Sequence, residues 1–323
     1  MKILKAICAA AVALSLVGCA QTSDSDKKEL TKVTLMLDYT PNTNHTGFYV
    51  AKNKGYYKDA GLDVDIIEPG DNATTSMVAA GKADFGVSYQ EDVTYALTSE
   101  DPLSNTSGFV SLKSANINSV KDFEGKTYAG WGAPSEEAVI KAVMNEAGAD
   151  FSKLNIVGSD GSGIAGLSDE VGKNKVNLGW EFYGWAIIKA LQDGYDLNYM
   201  PLADLDNRLD YYTPVIITNK KMIEKNSDTV KKFMEATKKG YEYAIDHPNK
   251  AAEILHEDAL SDTDLKFLKE SQKYLSSQYA KDVDSWGVMK DSVWDNYTDF
   301  MYETGLISQK IDAKDQYTNE FVK

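Results

Sequence analysis

The chain has 323 residues, a formal net charge of −15 and one arginine, Arg208. Such an excess of carboxylates makes nucleic acid and anionic lipid poor partners, and the near absence of bidentate guanidinium forks disfavours strongly anionic ligands. Both cysteines, Cys8 and Cys19, lie near the start, so the rest of the chain has no thiol for a disulfide, a metal cluster or nucleophilic catalysis.

Lys2 and Lys5 precede an apolar run, Ala6 to Val17, too short to span a bilayer and suited to the core of a signal peptide over residues 1–18. Leu16-Val17-Gly18-Cys19 then reads as a lipobox, with Cys19 acylated as the mature N-terminus. The other reading is an ordinary signal peptide in which Cys19 is incidental. Residues 19–31 are polar and read as a tether. The roughly 300 residues beyond are enough to bury about three quarters of their unfolded surface.

Lys32 to Leu37 has strand composition, His45 to Lys54 a helical pattern, and Asp63 to Ile67 reads as a second strand. Asn72 to Ala80 is a predicted helix with Gly81 at its cap, and Ala83 to Val87 a third strand, an order that implies a right-handed parallel α/β unit. A second cycle starts near Asp122. The strand within FEGKTYAGWG, the helix Ser135 to Glu146 and the strand LNIVG are followed by a Gly/Ser loop and a strand at Val176 to Trp180. Tyr211 to Thr218 then returns the chain to the first unit. After Asn226 the chain is helical, with Val230, Phe233, Met234, Tyr241, Ala244 and Ile245 on one face, Pro248 opening the next helix, and Ser261 to Asp264 resembling a capping box. Trp286, Met289, Val293, Trp294, Tyr297 and Phe300 extend the stripe as core. The expectation is an α/β, two-lobed architecture with a helical C-terminal portion: 32–111 and 213–323 in lobe 1, 112–212 in lobe 2.

Candidate binding residues cluster after strands, where open α/β sheets receive ligands. Asp38, Asn42, Asn44 and His45 supply donors and acceptors and Tyr39 a ring face, though the same residues also suit an Asx-rich helix cap. Tyr89 and Glu91 follow the third strand, where Glu91 suits either a ligand amine or a solvated helix start. Trp131 and Ser135 occupy the matching loop of the second unit, as cleft residues or as a cap. Glu181 and Trp185 lie in the aromatic run WEFYGW, which suits ring stacking with an orienting carboxylate or plain core. Tyr212 is a further candidate. Gly161 to Gly166 formally matches G-x-G-x-x-G, but an exported chain meets little dinucleotide. His45, His247 and His256 are scattered, so no metal or cofactor is expected.

The segments TLMLDYTPNTNHTGFYVAKNKGYYKDAGLDVDII, GKADFGVSYQEDVTYA, YAGWGAPSEEAVIKAVM, SDGSG, WEFYGWA and YYTPVIITN together resemble the solute receptors of the thiamine-pyrimidine-precursor family. The resemblance implies a type II-like periplasmic-binding-protein fold. It also implies a lipid-anchored, monomeric receptor on the outer face of the cytoplasmic membrane, serving an ABC permease and its ATPase, with an aminopyrimidine such as formylaminopyrimidine as ligand. GYYKDAGLDV is shared with relatives that bind sulfonates, nitrate or aromatic solutes, which form the alternative. Related pyrimidine synthases use a cysteine-rich iron motif that this chain lacks. One departure stands out: the family carries an extra strand between the equivalents of Pro102-Leu103 and Asn105 to Phe109, where here only Ser104 intervenes. Loss of a central strand would unpair its neighbours.

Overall fold

In a computed structural model, which describes residues 29–70, 73–96 and 106–322, the chain builds two mixed sheets. The first contains β1 (Thr31–Met36), β2 (Leu62–Ile67), β3 (Phe85–Ser88) and, from far along the chain, β9 (Val215–Thr218), in the order β2-β1-β3-β9. β1 is parallel to β2 and β3, and β9 runs antiparallel to β3. The helices Thr46–Asn53 and Thr74–Ala79 are the crossovers that parallel pairing requires. All four residues of β3 are buried, as expected of a strand covered on both faces. Gly86 permits this packing, because a Cβ there would lie 2.6 Å from Thr74 Cγ2 and 2.8 Å from Val78 Cγ2.

The second sheet has the order β6-β5-β7-β4-β8 and comprises β4 (Ser107–Leu112), β5 (Thr127–Gly130), β6 (Asn155–Gly158), β7 (Leu178–Phe182) and β8 (Leu197–Pro201). β4 is antiparallel to both neighbours, and β5 is parallel to both of its own. The second lobe therefore takes in Ser107–Leu112, ahead of the start at residue 112 read from the sequence. The departure expected around Pro102 to Asn105 falls largely on residues outside those described. Gly108 and Phe109, on its far side, are paired in β4 with both β7 and β8. Among the described residues β9 has one sheet neighbour, β3.

Each sheet has its own core. Val33, Leu35, Phe48 and Phe85 pack with Phe233 of the helix Ser227–Asp246, the Phe85 and Phe233 rings stacking at 3.9 Å. Phe109, Phe123, Tyr128, Val139 and Leu178 fill the other. The helix Asp291–Glu303 corrects the expectation that 213–323 belongs to one lobe. It sends Tyr297, Phe300 and Met301 into the second core, while Trp294 joins Val215, Ile217 and Met289 beneath the first sheet. The capping box expected at Ser261 is also displaced. Asp264 is the cap of the helix Leu265–Ser276, accepting from the Lys266 N–H at 2.9 Å. Gly163–Gly166 forms a single 3-10 turn, not the helix a dinucleotide fingerprint opens.

Candidate functional site

The cleft lies where the carboxyl ends of β1, β3 and β7 converge. One chamber, of about 380 Å³, is lined by Asp38, Tyr39, Thr40, Asn42, Asn44 and Tyr89 from the first lobe, Glu181, Phe182, Trp185 and Ala186 from the second, and Thr213 and Pro214 from the returning segment. Seven sequence candidates, Asp38, Tyr39, Asn42, Asn44, Tyr89, Glu181 and Trp185, thus meet around one space although they come from three distant stretches.

The first-lobe wall is internally bonded. Asp38 Oδ1 lies 2.6 Å from His45 Nε2, and Asp38 Oδ2 accepts from the Tyr89 hydroxyl at 2.8 Å. The Asn42 N–H donates to His45 Nδ1 at 3.2 Å; that nitrogen is therefore the acceptor, and Nε2 carries the proton that points at Asp38. Burial alone would raise the Asp38 carboxyl, but His45 and the hydrogen bonds from His45 and Tyr89 outweigh it and hold the group below the usual carboxylate range. Asn42 also caps the turn Thr43–His45, its side chain accepting from the Asn44 N–H at 2.9 Å. The helix-cap and cleft readings of this segment therefore hold together.

The second-lobe wall is different in kind. Glu181 follows Trp180 near the end of β7, and among the described residues no donor bonds to its carboxylate. Partial burial raises its pKa with nothing to oppose it. Phe182 is 40% exposed, which leaves a ring open to the chamber, as does Tyr39 of the first lobe at 66%. A π-helical turn, Tyr183–Ile187, follows and presents Trp185, whose ring meets Phe267 edge-on at 4.8 Å. π-turns concentrate at functional sites because the extra residue redirects side chains. The turn is clamped to the first lobe: the Ser271 hydroxyl bonds to the Gly184 carbonyl and lies 2.6 Å from Thr43 Oγ1.

Four candidates stand behind the wall, a correction to the expectation that they face the ligand. His45 is fully buried beneath Asp38. Glu91 accepts from the Tyr297 hydroxyl at 3.0 Å and bonds to Ser135, so both are spent joining the lobes. Burial pushes Glu91 up to about 7, with Asp92 adding to the rise and the bonds from Tyr297 and Ser135 opposing it. The Tyr212 hydroxyl accepts from the Lys290 N–H at 3.0 Å, and the Tyr212 backbone N–H donates to Gln90 Oε1 at 2.8 Å. Trp131 lines a second, adjoining chamber of about 630 Å³ in the second lobe, which shares Glu181 and Phe182 with the first. Thr40, Phe182, Ala186, Thr213 and Pro214 were missed; the first four adjoin a residue that the sequence singled out, and Pro214 lies two positions from Tyr212. Cys19 lies outside the described residues. Among those described, no group of three His, Cys, Asp or Glu side chains is placed to hold a metal ion, and no helix is long and apolar enough to cross a membrane.

Residues 42–251 match the family model described as NMT1/THI5 like. The formylaminopyrimidine-binding protein of Halalkalibacterium halodurans is 30% identical over 274 residues, covering 79% of each chain. The 4-amino-5-hydroxymethyl-2-methylpyrimidine phosphate synthase of Candida albicans is 27% identical, covering 68% of this chain and 69% of its own. The fold is that of the alkanesulfonate-binding protein SsuA from Xanthomonas axonopodis pv. citri, solved bound to MOPS, with a TM-score of 0.65, 11% identity and coverage of 90% and 99%.

Proposed function

The chain belongs to the NMT1/THI5-like family, and on that premise we propose that it is the solute receptor of an ABC importer, capturing an aminopyrimidine thiamine precursor of the formylaminopyrimidine type. Glu181 carries the choice of ligand. A partly desolvated carboxylate without a protein donor, set among exposed ring faces, is stabilised by a ligand that brings N–H groups or positive charge on a flat ring. An exocyclic amine beside a protonatable ring nitrogen meets both conditions. A sulfonate would instead place its charge against Glu181.

Binding without chemistry is the reading for the acid–base pair as well. His45 is sealed behind Asp38, bonded to it at 2.6 Å and closed to the cavity, so it does not reach a bound molecule. The ligand would contact both lobes and draw them together, and the closed form would be presented to a permease and its ATPase. A lipid on Cys19 would hold this monomer on the outer face of the cytoplasmic membrane once the signal peptide is removed.

Calorimetric titration of the chain with formylaminopyrimidine and with 2-aminoethanesulfonate tests the reading. The expected result is binding of the pyrimidine alone, weakened about 10- to 100-fold in Glu181→Gln, as for loss of a hydrogen bond to a charged group. Binding of the sulfonate in place of the pyrimidine would overturn it.

A further inference from the structure

The 380 Å³ chamber adjoins the larger chamber of the second lobe, and Glu181 and Phe182 line both. We propose that this larger chamber is a second compartment of the same cleft, built for an uncharged or cationic ring linked to the first, and that Glu136 excludes phosphorylated ligands from it. The proposal rests on the receptor reading above and extends it to the shape and charge of the ligand.

Aromatic surface is the first ground. Trp131, 59% exposed, and Phe182, 40% exposed, are large apolar groups left in water at the chamber wall. Their exposure is unfavourable unless something flat covers them. Trp131 meets Trp180 edge-to-face at 5.1 Å, and Trp180 meets the buried Phe109 ring at 5.7 Å. The wall is thus anchored to the core and does not need a ligand to set its shape. The Trp180 indole nitrogen is buried without a hydrogen-bond partner among the described residues, an unmet donor in the side chain that forms this wall.

Charge is the second ground. Glu181 stands between the two chambers and lines both, so a positive ring or linker seated across the junction would neutralise it. Of the two lysines at the far rim, Lys175 pairs with Glu170 at 2.9 Å, and Lys173 lines the chamber together with Asp160.

The third ground is what has become of the anion donors. The loop Gly130–Gly132 leads through Ala133 into the helix Pro134–Glu146, a place where backbone N–H groups and the helix dipole ordinarily receive a phosphate. Here the donors are already taken. Glu136, 3% exposed, accepts from the N–H groups of Trp131 at 3.2 Å and Gly132 at 2.8 Å and from the Tyr128 hydroxyl at 2.5 Å. A Cβ on Gly130 would fall 2.1 Å from Glu136 Oε1, so the close approach of that carboxylate depends on glycine at 130. A built-in carboxylate both fills the nest and repels a second anion.

Calorimetry with three probes tests this: formylaminopyrimidine, with one ring; thiamine, in which a pyrimidine is linked to a cationic thiazolium; and thiamine monophosphate. Thiamine should bind about tenfold or more tighter than the single ring, and Trp131→Ala should bring that ratio close to one. Thiamine monophosphate should bind the unaltered chain at least about tenfold more weakly than thiamine, and Glu136→Ala should close that gap. Because Glu136→Ala removes the acceptor of three hydrogen bonds, Glu136→Gln, which keeps an acceptor and removes the charge, provides the second variant and should narrow the gap in the same direction. Equal affinity for one and two rings, a Trp131→Ala loss shared equally by both, or unimpeded binding of the monophosphate would each overturn the proposal. If the folded chain binds none of the three, the receptor reading itself fails.

Discussion

The two walls of the cleft are made from similar residue types and use them in opposite ways. On the first lobe, Asp38 is closed by His45 and Tyr89, so its polar groups are committed before any ligand arrives. On the second, Glu181 has no such partner among the described residues, and Phe182 and Trp131 are left exposed. Solute binding gains from this division. A rigid wall lowers the ordering cost of binding, and a wall with unmet bonding capacity supplies the attraction for the ligand.

Breaking the committed wall should have the largest effect on stability. Asp38→Ala strands a buried imidazole N–H and a tyrosine hydroxyl, and we expect a loss of about 3 kcal/mol in denaturant unfolding. A loss under about 1 kcal/mol would show that the Asp38 triad is not what holds that wall.

The lobe junction behind the wall sharpens the contrast through pH. Glu91 has a folded pKa of about 7 against an ordinary value of 4.5, so the folded state binds its proton more tightly than the unfolded one. Its contribution is complete below about pH 4.5 and is lost as pH rises to about 7, a decline of about 3 kcal/mol. Asp38 has the opposite sign, since its lowered pKa gives stability above its ordinary value of 3.8 that is lost on further acidification. Unfolding curves between pH 4.5 and 7 should show the decline in the natural chain and a flatter profile in Glu91→Gln. Identical slopes in the two proteins would remove Glu91 as the cause.

The smallest stability effect is expected on the open wall. Glu181→Gln removes a desolvated charge that has no partner to lose, so the melting temperature of the ligand-free protein should stay level or rise by a few degrees, consistent with a gain of up to about 1 kcal/mol. A clear fall would mean that Glu181 is structurally bonded after all, and the division between the walls would not hold.

Much of this arrangement could be read from the sequence because it follows local rules. The strands β1, β2, β3, β5 and β6 alternate or run apolar between turn residues, and the first cleft loop follows a strand end. β4 and β8 were not foreseen: Ser107–Leu112 follows directly on the Pro102 to Ser104 departure, and Leu197–Pro201 is short and ends in proline. Their strand character comes from mutual antiparallel pairing, a long-range contact. The same limit applies within the site. Sequence position brings Asp38 and His45 to one loop, but not the fact that one faces the cavity and the other supports it from behind. Glu91 and Ser135 sit at the expected strand ends, yet only the closeness of the two lobes turns their side chains towards each other. The fold-back of Glu136 onto Gly132 depends on how a loop closes, which composition does not encode.

The helix Asp291–Glu303 sets a rule for how the molecule comes apart. It places Trp294 in one hydrophobic core and Tyr297, Phe300 and Met301 in the other, so neither core can be exposed without stripping apolar surface from its neighbour. Two lobes that are distinct in architecture should therefore unfold as a single cooperative unit on heating, in one calorimetric transition. A lesion in either one is felt as a loss of stability by the whole receptor.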